Sequence, residues 1–176
     1  KDFGVNFTFR VQDNAGGIPS AIGLAEDFIG GNNFISINGD NIIFESLNPF
    51  VEKFENSGAE MQIILFEGTR ETAQKSGVAV LKGDKIVDLM EKPLDPASNN
   101  IIAGIYFLTP SVFKIIKELK PSERGETEIT DVQKEYLKIG KLNAAKLTKE
   151  WLDAGDFDDL LNANLKTKKI VDNGNG

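Results

Sequence analysis

The chain has 176 residues, 40% of them hydrophobic and 27% charged, enough for one domain with a sizeable core. Its 20 Lys and Arg against 27 Asp and Glu leave a net charge of −7, with the cations scattered; this argues against a nucleic-acid groove or a surface for anionic membranes. Cys and His are both absent, which excludes a thiolate nucleophile, an imidazole base and a zinc site built from those ligands.

Taken in order, Val5, Phe7, Phe9 and Val11 alternate with polar residues, so Val5 to Gln12 reads as a strand. Asp13 to Gly17 is a glycine-rich turn. Ile18 to Phe28 reads as a helix closed by Gly30-Gly31. Phe34 to Asn38 reads as a buried strand leading into Gly39-Asp40-Asn41. Pro49 and Gly58 bracket a helix. Met61 to Glu67 reads as a strand, and Gly83-Asp84 joins Val78–Leu81 to Lys85–Glu91 as a hairpin. Ile101 to Leu108 is a further strand, and Thr109-Pro110 opens a helix to about Lys117. Thr130 to Ile139 is helical up to Gly140, Leu142 to Leu147 is a strand, and Glu150 to Asp153 is strand-like. Asp156 to Leu165 is the last helix, and a loose tail is expected from Lys166 to Gly176. Strands alternating with helices predict an α/β layer fold, and the central hairpin makes the sheet mixed.

No apolar run approaches the roughly 20 residues of a membrane helix, and no signal-peptide pattern opens the chain. A cytoplasmic location is the simplest expectation.

Chemistry in such a chain falls to carboxylates, Lys, Arg, Tyr, hydroxyls, backbone groups or an oxygen-bound metal. Asp40 and Asp153 are both expected where a strand gives way to a loop, the edge at which open α/β sheets bind ligands. Two hard oxygen ligands there suit Mg²⁺ bound to phosphates. Gln12 carries one acceptor and two donors, a match for a pyrimidine edge, and nearby glycines let backbone approach a flat base. Glu91 can accept from sugar hydroxyls while Lys92 meets a phosphate, and the fork of Arg124 also suits phosphate. Each segment alone favours the plainer reading, an ordinary turn, a surface ion pair or a solvated loop.

Their order together is specific. Val11-Gln12-Asp-Asn-Ala-Gly-Gly17, Gly39-Asp40-Asn41-Ile42, Glu91-Lys92-Pro93 with Pro96 and Ser98-Asn99, Arg124-Gly125-Glu-Thr-Glu128-Ile-Thr-Asp131, and Trp151-Leu-Asp153-Ala-Gly155 follow one another. This series closely resembles the sugar-phosphate nucleotidylyltransferases, nearest the glucose-1-phosphate thymidylyltransferases, over about residues 1 to 165. The resemblance implies a Rossmann-like nucleotide-diphospho-sugar transferase fold, with a mixed central sheet flanked by helices. It implies that a sugar-1-phosphate, glucose-1-phosphate above all, joins dTTP or UTP with release of pyrophosphate. Asp40 and Asp153 would hold Mg²⁺, and Gln12 and Gly17 would face the base. Gly77, Glu91, Lys92 and Tyr106 would hold the sugar and its phosphate, and Arg124 would contact phosphate.

The resemblance also exposes departures. The family opens with a strand and a Gly-rich loop containing Gly-Thr-Arg, followed by a Pro-Lys pair, and no such stretch is read in this chain. The chain is therefore expected to be a partial nucleotidyltransferase domain, nearly inactive alone, its exposed strand edges covered by a missing segment or an oligomeric partner. Asn38 stands where an aliphatic residue is expected, and Ala103 where relatives often carry Thr; both are expected to alter pocket contacts mildly. The competing readings are a non-catalytic sugar-nucleotide-binding or regulatory module, and a structural fragment.

Overall fold

A computed structural model describes residues 4–122 and 125–172. Its element order is α1 (Ile18–Gly23), α2 (Glu26–Ile29), β1 (Phe34–Ile37), β2 (Asn41–Ile43), α3 (Asn48–Ser57), β3 (Met61–Glu67), α4 (Arg70–Lys75), β4 (Gly77–Lys82), β5 (Lys85–Glu91), β6 (Asn100–Leu108), α5 (Val112–Glu118), α6 (Ile129–Lys138), β7 (Leu142–Lys146), β8 (Trp151–Asp153) and α7 (Phe157–Asp172).

The main sheet runs β5-β4-β6-β3-β7, with β1 also paired to β6. It is mixed as expected: β3 and β7 are parallel, and the other pairs are antiparallel. The long strand β6 is its axis. It is buried from Ile101 to Leu108, because helices and a second small sheet cover both faces, which explains its nearly unbroken apolar run. One face packs Ile63, Tyr106 and Leu108 against Val112 of α5 and Val132 and Tyr136 of α6. The other packs Ile64, Ile105 and Phe107 against Phe50 and Phe54 of α3 and against Trp151. Gln62, fully buried on the α3 face, has both ends of its amide engaged: Nε2 donates to Phe50 O at 2.9 Å and Oε1 accepts from Asn143 at 3.2 Å.

Local signals held where they were strong. Gly58, Gly83 and Gly140 all adopt positive φ, ending α3, turning the β4–β5 hairpin and following α6. Several expectations fail. Val5–Gln12 forms no ladder, and its alternating side chains stand in solvent: Phe9 is 84% exposed. Alternation prepares a half-buried surface but supplies no partner, and among the described residues no strand pairs with it. The expected helix Ile18–Phe28 is two short helices, broken at Leu24-Ala25. Strand β1 is only alternately half-buried, with Ile37 45% exposed, since β6 covers one edge alone. Helix α7 passes the expected end at Leu165 and continues to Asp172, through most of the segment expected to be loose, while 173–176 lie outside the described residues. Short β2 and α4 carry too few residues for a periodic signal. Among the described residues no helix is long and apolar enough to cross a membrane.

Candidate functional site

Strand β1 ends at a turn, and β2 then pairs antiparallel with β8 as a two-stranded ribbon, with Asn41 opposite Asp153. This register brings together two segments over a hundred residues apart, and Ala154 N closes on Asp40 O at 2.9 Å. A Cβ on Gly155 would lie 3.2 Å from Asp153 Oδ1 and 3.6 Å from Asp40 Oδ2, so both carboxylates flank the same small space. Burial first, and then the Asp40 charge, push the Asp153 carboxyl above its usual range; the Gly155 N–H bond pulls the other way. A cation between them would relieve that repulsion. The pair is all-oxygen and open on one side. This fits Mg²⁺, which takes one or two carboxylates and completes its shell with phosphate oxygens and water. Among the described residues no group of three or more acidic side chains forms a closed cage.

Asn41 holds the ribbon in place. Its Nδ2 donates to Asp40 Oδ1 at 2.8 Å, and its Oδ1 accepts from Trp151 Nε1 at 2.7 Å and from Gly104 N at 3.1 Å. The sequence named Asn41 only as part of a turn; a long-range amide hub leaves no local pattern.

Beside the carboxylates opens a cleft of about 500 Å³. Gln12, Gly17, Gly77, Glu91, Lys92, Tyr106 and Asp153 all line it, so the structure gathers these candidates from five separate stretches. Asp40 adjoins the lining residue Asn41. Arg124 lies outside the described residues.

The Gly16-Gly17 turn is fixed to the segment before α6, since Thr127 donates to Gly16 O through both N–H (3.0 Å) and Oγ1 (2.7 Å). Gly17 has φ +88°, and a Cβ there would fall 2.1 Å from Thr127 O. The long 3.5 Å contact from Gln12 Nε2 to Gly17 O leaves the Gln12 amide weakly committed.

Gly77 and Glu91 are cross-strand partners in the hairpin. Glu91 Oε2 accepts a hydrogen bond from Thr130 Oγ1 on α6, which aims the carboxylate into the cleft. Lys92, the next residue, is the one non-glycine residue with positive φ among those described, at 43°, and its N–H donates to Ser76 O at 3.1 Å. Backbone held in this region concentrates at functional sites. Tyr106 is 3% exposed; burial first, and then the charges of Glu91 and Asp40, raise its hydroxyl far above the usual tyrosine range, so it remains a donor at neutral pH.

Lining residues that the sequence did not single out for the site include Lys75, Ser76, Thr130 and Gln133. The two departures separate. Asn38 packs over Gly104, where a Cβ would meet its amide at 2.5 Å, so it does shape the cleft wall. Ala103 is fully buried in the opposite core, and its identity does not reach the cleft. A Gly-Thr-Arg tripeptide does occur, at Gly68–Arg70. Thr69 there caps α4, accepting from Thr72 N at 3.2 Å, and Arg70 pairs with Asp95, so these groups serve the fold.

Residues 1–170 match the family described as nucleotidyl transferase. The chain belongs to this family. Among curated relatives of this nucleotidyl transferase chain, the low-salt glycan biosynthesis nucleotidyltransferase Agl11 of Haloferax volcanii is 38% identical over 93% of the chain and 46% of its own length. A glucose-1-phosphate thymidylyltransferase of Mycolicibacterium smegmatis is 36% identical over 92% and 57%. The chain thus spans about half the length of these relatives. A crystal structure of a Bacillus anthracis protein assigned as a glucose-1-phosphate thymidylyltransferase, holding a sucrose, superposes with a TM-score of 0.86 at 44% identity, covering 93% of this chain and 65% of that one. A UDP-glucose pyrophosphorylase complexed with UDP-glucose gives 0.79 at 28% identity, over 90% and 65%. The fold of this nucleotidyl transferase chain is the nucleotide-diphospho-sugar transferase fold, as the resemblance implied.

Proposed function

We propose that the chain is the sugar- and metal-binding part of an enzyme that joins a sugar-1-phosphate, glucose-1-phosphate first, to dTTP or UTP. A phosphate oxygen of the sugar-1-phosphate attacks the α-phosphorus, the bond to the β-phosphate breaks, and pyrophosphate leaves. The observation that supports this reading is that Asp153, which flanks the same small space as Asp40, lines one cleft together with Gln12, Glu91 and Lys92.

Asp40 and Asp153 would hold Mg²⁺, which would neutralise phosphate charge and orient the triphosphate. Gln12 and the Gly17 turn would receive a pyrimidine. Glu91, held by Thr130, would accept from sugar hydroxyls, Tyr106 would donate from the floor, Gly77 would leave room for the ring, and Lys92 would meet the sugar phosphate. Arg124 would add a second phosphate contact, a role that rests on the resemblance alone. No covalent nucleophile is required, in keeping with a chain that lacks Cys and His; positioning and charge stabilisation supply the rate. The described residues present no glycine loop carrying a cation for a triphosphate, so the 176 residues by themselves are expected to turn over little.

The test is a coupled pyrophosphate assay on the full-length protein with glucose-1-phosphate and dTTP, UTP, ATP or GTP. Turnover of about 1–10³ s⁻¹ with a pyrimidine is expected, and Lys92→Ala should raise the sugar-1-phosphate KM while sparing dTTP. A purine preference, or an unchanged Lys92→Ala enzyme, would sink these assignments. Binding of nucleotide-sugar without any turnover would establish the non-catalytic module instead.

A further inference from the structure

Gln133 is fully buried and lines the cleft, yet among the described residues neither Oε1 nor Nε2 has a hydrogen-bond partner. The contrast with Gln62 is direct, since that equally buried amide is satisfied at both ends. A buried amide is rarely left unpartnered, and one that borders a cleft calls for a partner from within it.

Its position indicates which one. Gln133 lies one turn beyond Thr130 on α6, so the two share a helix face, and Thr130 is the residue that fixes Glu91. The base-facing turn meets this stretch earlier, at Thr127, before α6 begins at Ile129, so about 6 Å of helix from Ile129 to Gln133 lies between them at 1.5 Å per residue. Gln133 therefore belongs to the Glu91 end. A primary amide presents an acceptor and a donor side by side. Two adjacent hydroxyls of a pyranose ring offer the complementary pair, one giving its proton to Oε1 and the other accepting from Nε2.

We propose that Gln133 is a sugar-recognition residue that binds a vicinal diol of the sugar-1-phosphate. The assignment rests on reading the cleft as a sugar-1-phosphate site.

The test uses the full-length protein and Gln133→Met, which keeps the volume and removes both polar atoms. The sugar-1-phosphate KM should rise on the order of 10- to 100-fold, the value of two net hydrogen bonds, with the dTTP KM unchanged. Singly deoxygenated glucose-1-phosphates should lose affinity for the wild type at two adjacent ring positions, and lose nothing more with the variant. The urea midpoint of Gln133→Met should equal or exceed that of the wild type, because an unsatisfied amide has been removed. An unchanged sugar KM in an active enzyme overturns the proposal alone, as does a rise confined to dTTP. Wild-type protein that consumes no sugar-1-phosphate overturns the underlying reading together with the proposal. Gln133→Glu, which keeps the shape and an acceptor, is the second variant; failure of both to fold assigns Gln133 to the fold and overturns the proposal.

Discussion

At the scale of single residues, Gly17 and Asp153 show how the cleft is shaped and charged. Gly17 combines positive φ with a carbonyl where a side chain would go. Gly17→Ala should therefore lower stability by about 2 kcal/mol or more. Gly39→Ala, with open space around its Cβ and no positive φ, should cost far less. Urea unfolding of the two variants checks the difference. Asp153 carries a carboxyl raised by burial and by Asp40. A folded pKa above the unfolded one means that the favourable state is the protonated one and is lost as pH rises through the folded value. Asp153→Asn mimics that protonated state. It should stabilise the metal-free protein at neutral pH, and the gain should fade as pH falls through the raised value and then below the unfolded value of about 3.9. Added Mg²⁺ is expected to raise the urea midpoint of the wild type and to leave that of Asp153→Asn unchanged. A metal-free Asp153→Asn protein less stable than wild type at pH 7 would contradict the repulsion.

At the scale of elements, the β2–β8 ribbon couples the carboxylate pair to the core. Trp151 tilts against Phe66 with ring centroids 5.7 Å apart and donates to Asn41. Asn41→Ala would orphan two donors, Trp151 Nε1 and Gly104 N, and release Asp40. The expected cost is about 2 kcal/mol or more, since each unsatisfied buried group costs about 1–3 kcal/mol. Trp151 is the single tryptophan of the chain, so its fluorescence reports this one ribbon. A red-shifted native emission in Asn41→Ala, together with weaker Mg²⁺ binding, is the expected signature. An unshifted spectrum at undiminished stability would remove Asn41 from its central position.

At the scale of the whole molecule, apolar surface is unevenly covered. Phe7, Phe9 and Val11 along the leading segment, Phe28 on α2, and Ile35 and Ile37 on β1 are all exposed. Thr8 and Arg10 of the leading segment share a groove with the β1 residues and Phe28. An exposed strand edge with an apolar face promotes association. The 176-residue chain is expected to self-associate with rising concentration in sedimentation velocity, and Phe9→Lys with Phe28→Lys should suppress it. A concentration-independent monomer would show that this surface is tolerated bare.

The elements legible in the sequence were those whose signal is local. Pro49 and Gly58 delimit α3, Gly83 turns the hairpin, and the apolar runs of β3 and β6 state their burial, because backbone sterics and hydrophobic period act over a few residues. The site was legible as an ordered set of short motifs, and Gln12, Gly17, Gly77, Glu91, Lys92, Tyr106 and Asp153 do meet in one cleft. What the sequence alone determined was thus an α/β chain with a mixed sheet, without Cys or His, and the kinship of its motifs. Tertiary structure alone decided that Val5–Gln12 pairs with nothing among the described residues, that Asn41 ties Asp40 to Trp151, that Thr130 aims Glu91, and that the buried amide of Gln133 faces the cleft without a partner. The reason is range: a strand's partner, a hydrogen bond across 110 residues and the burial of a polar group are properties of pairs that only folding brings together.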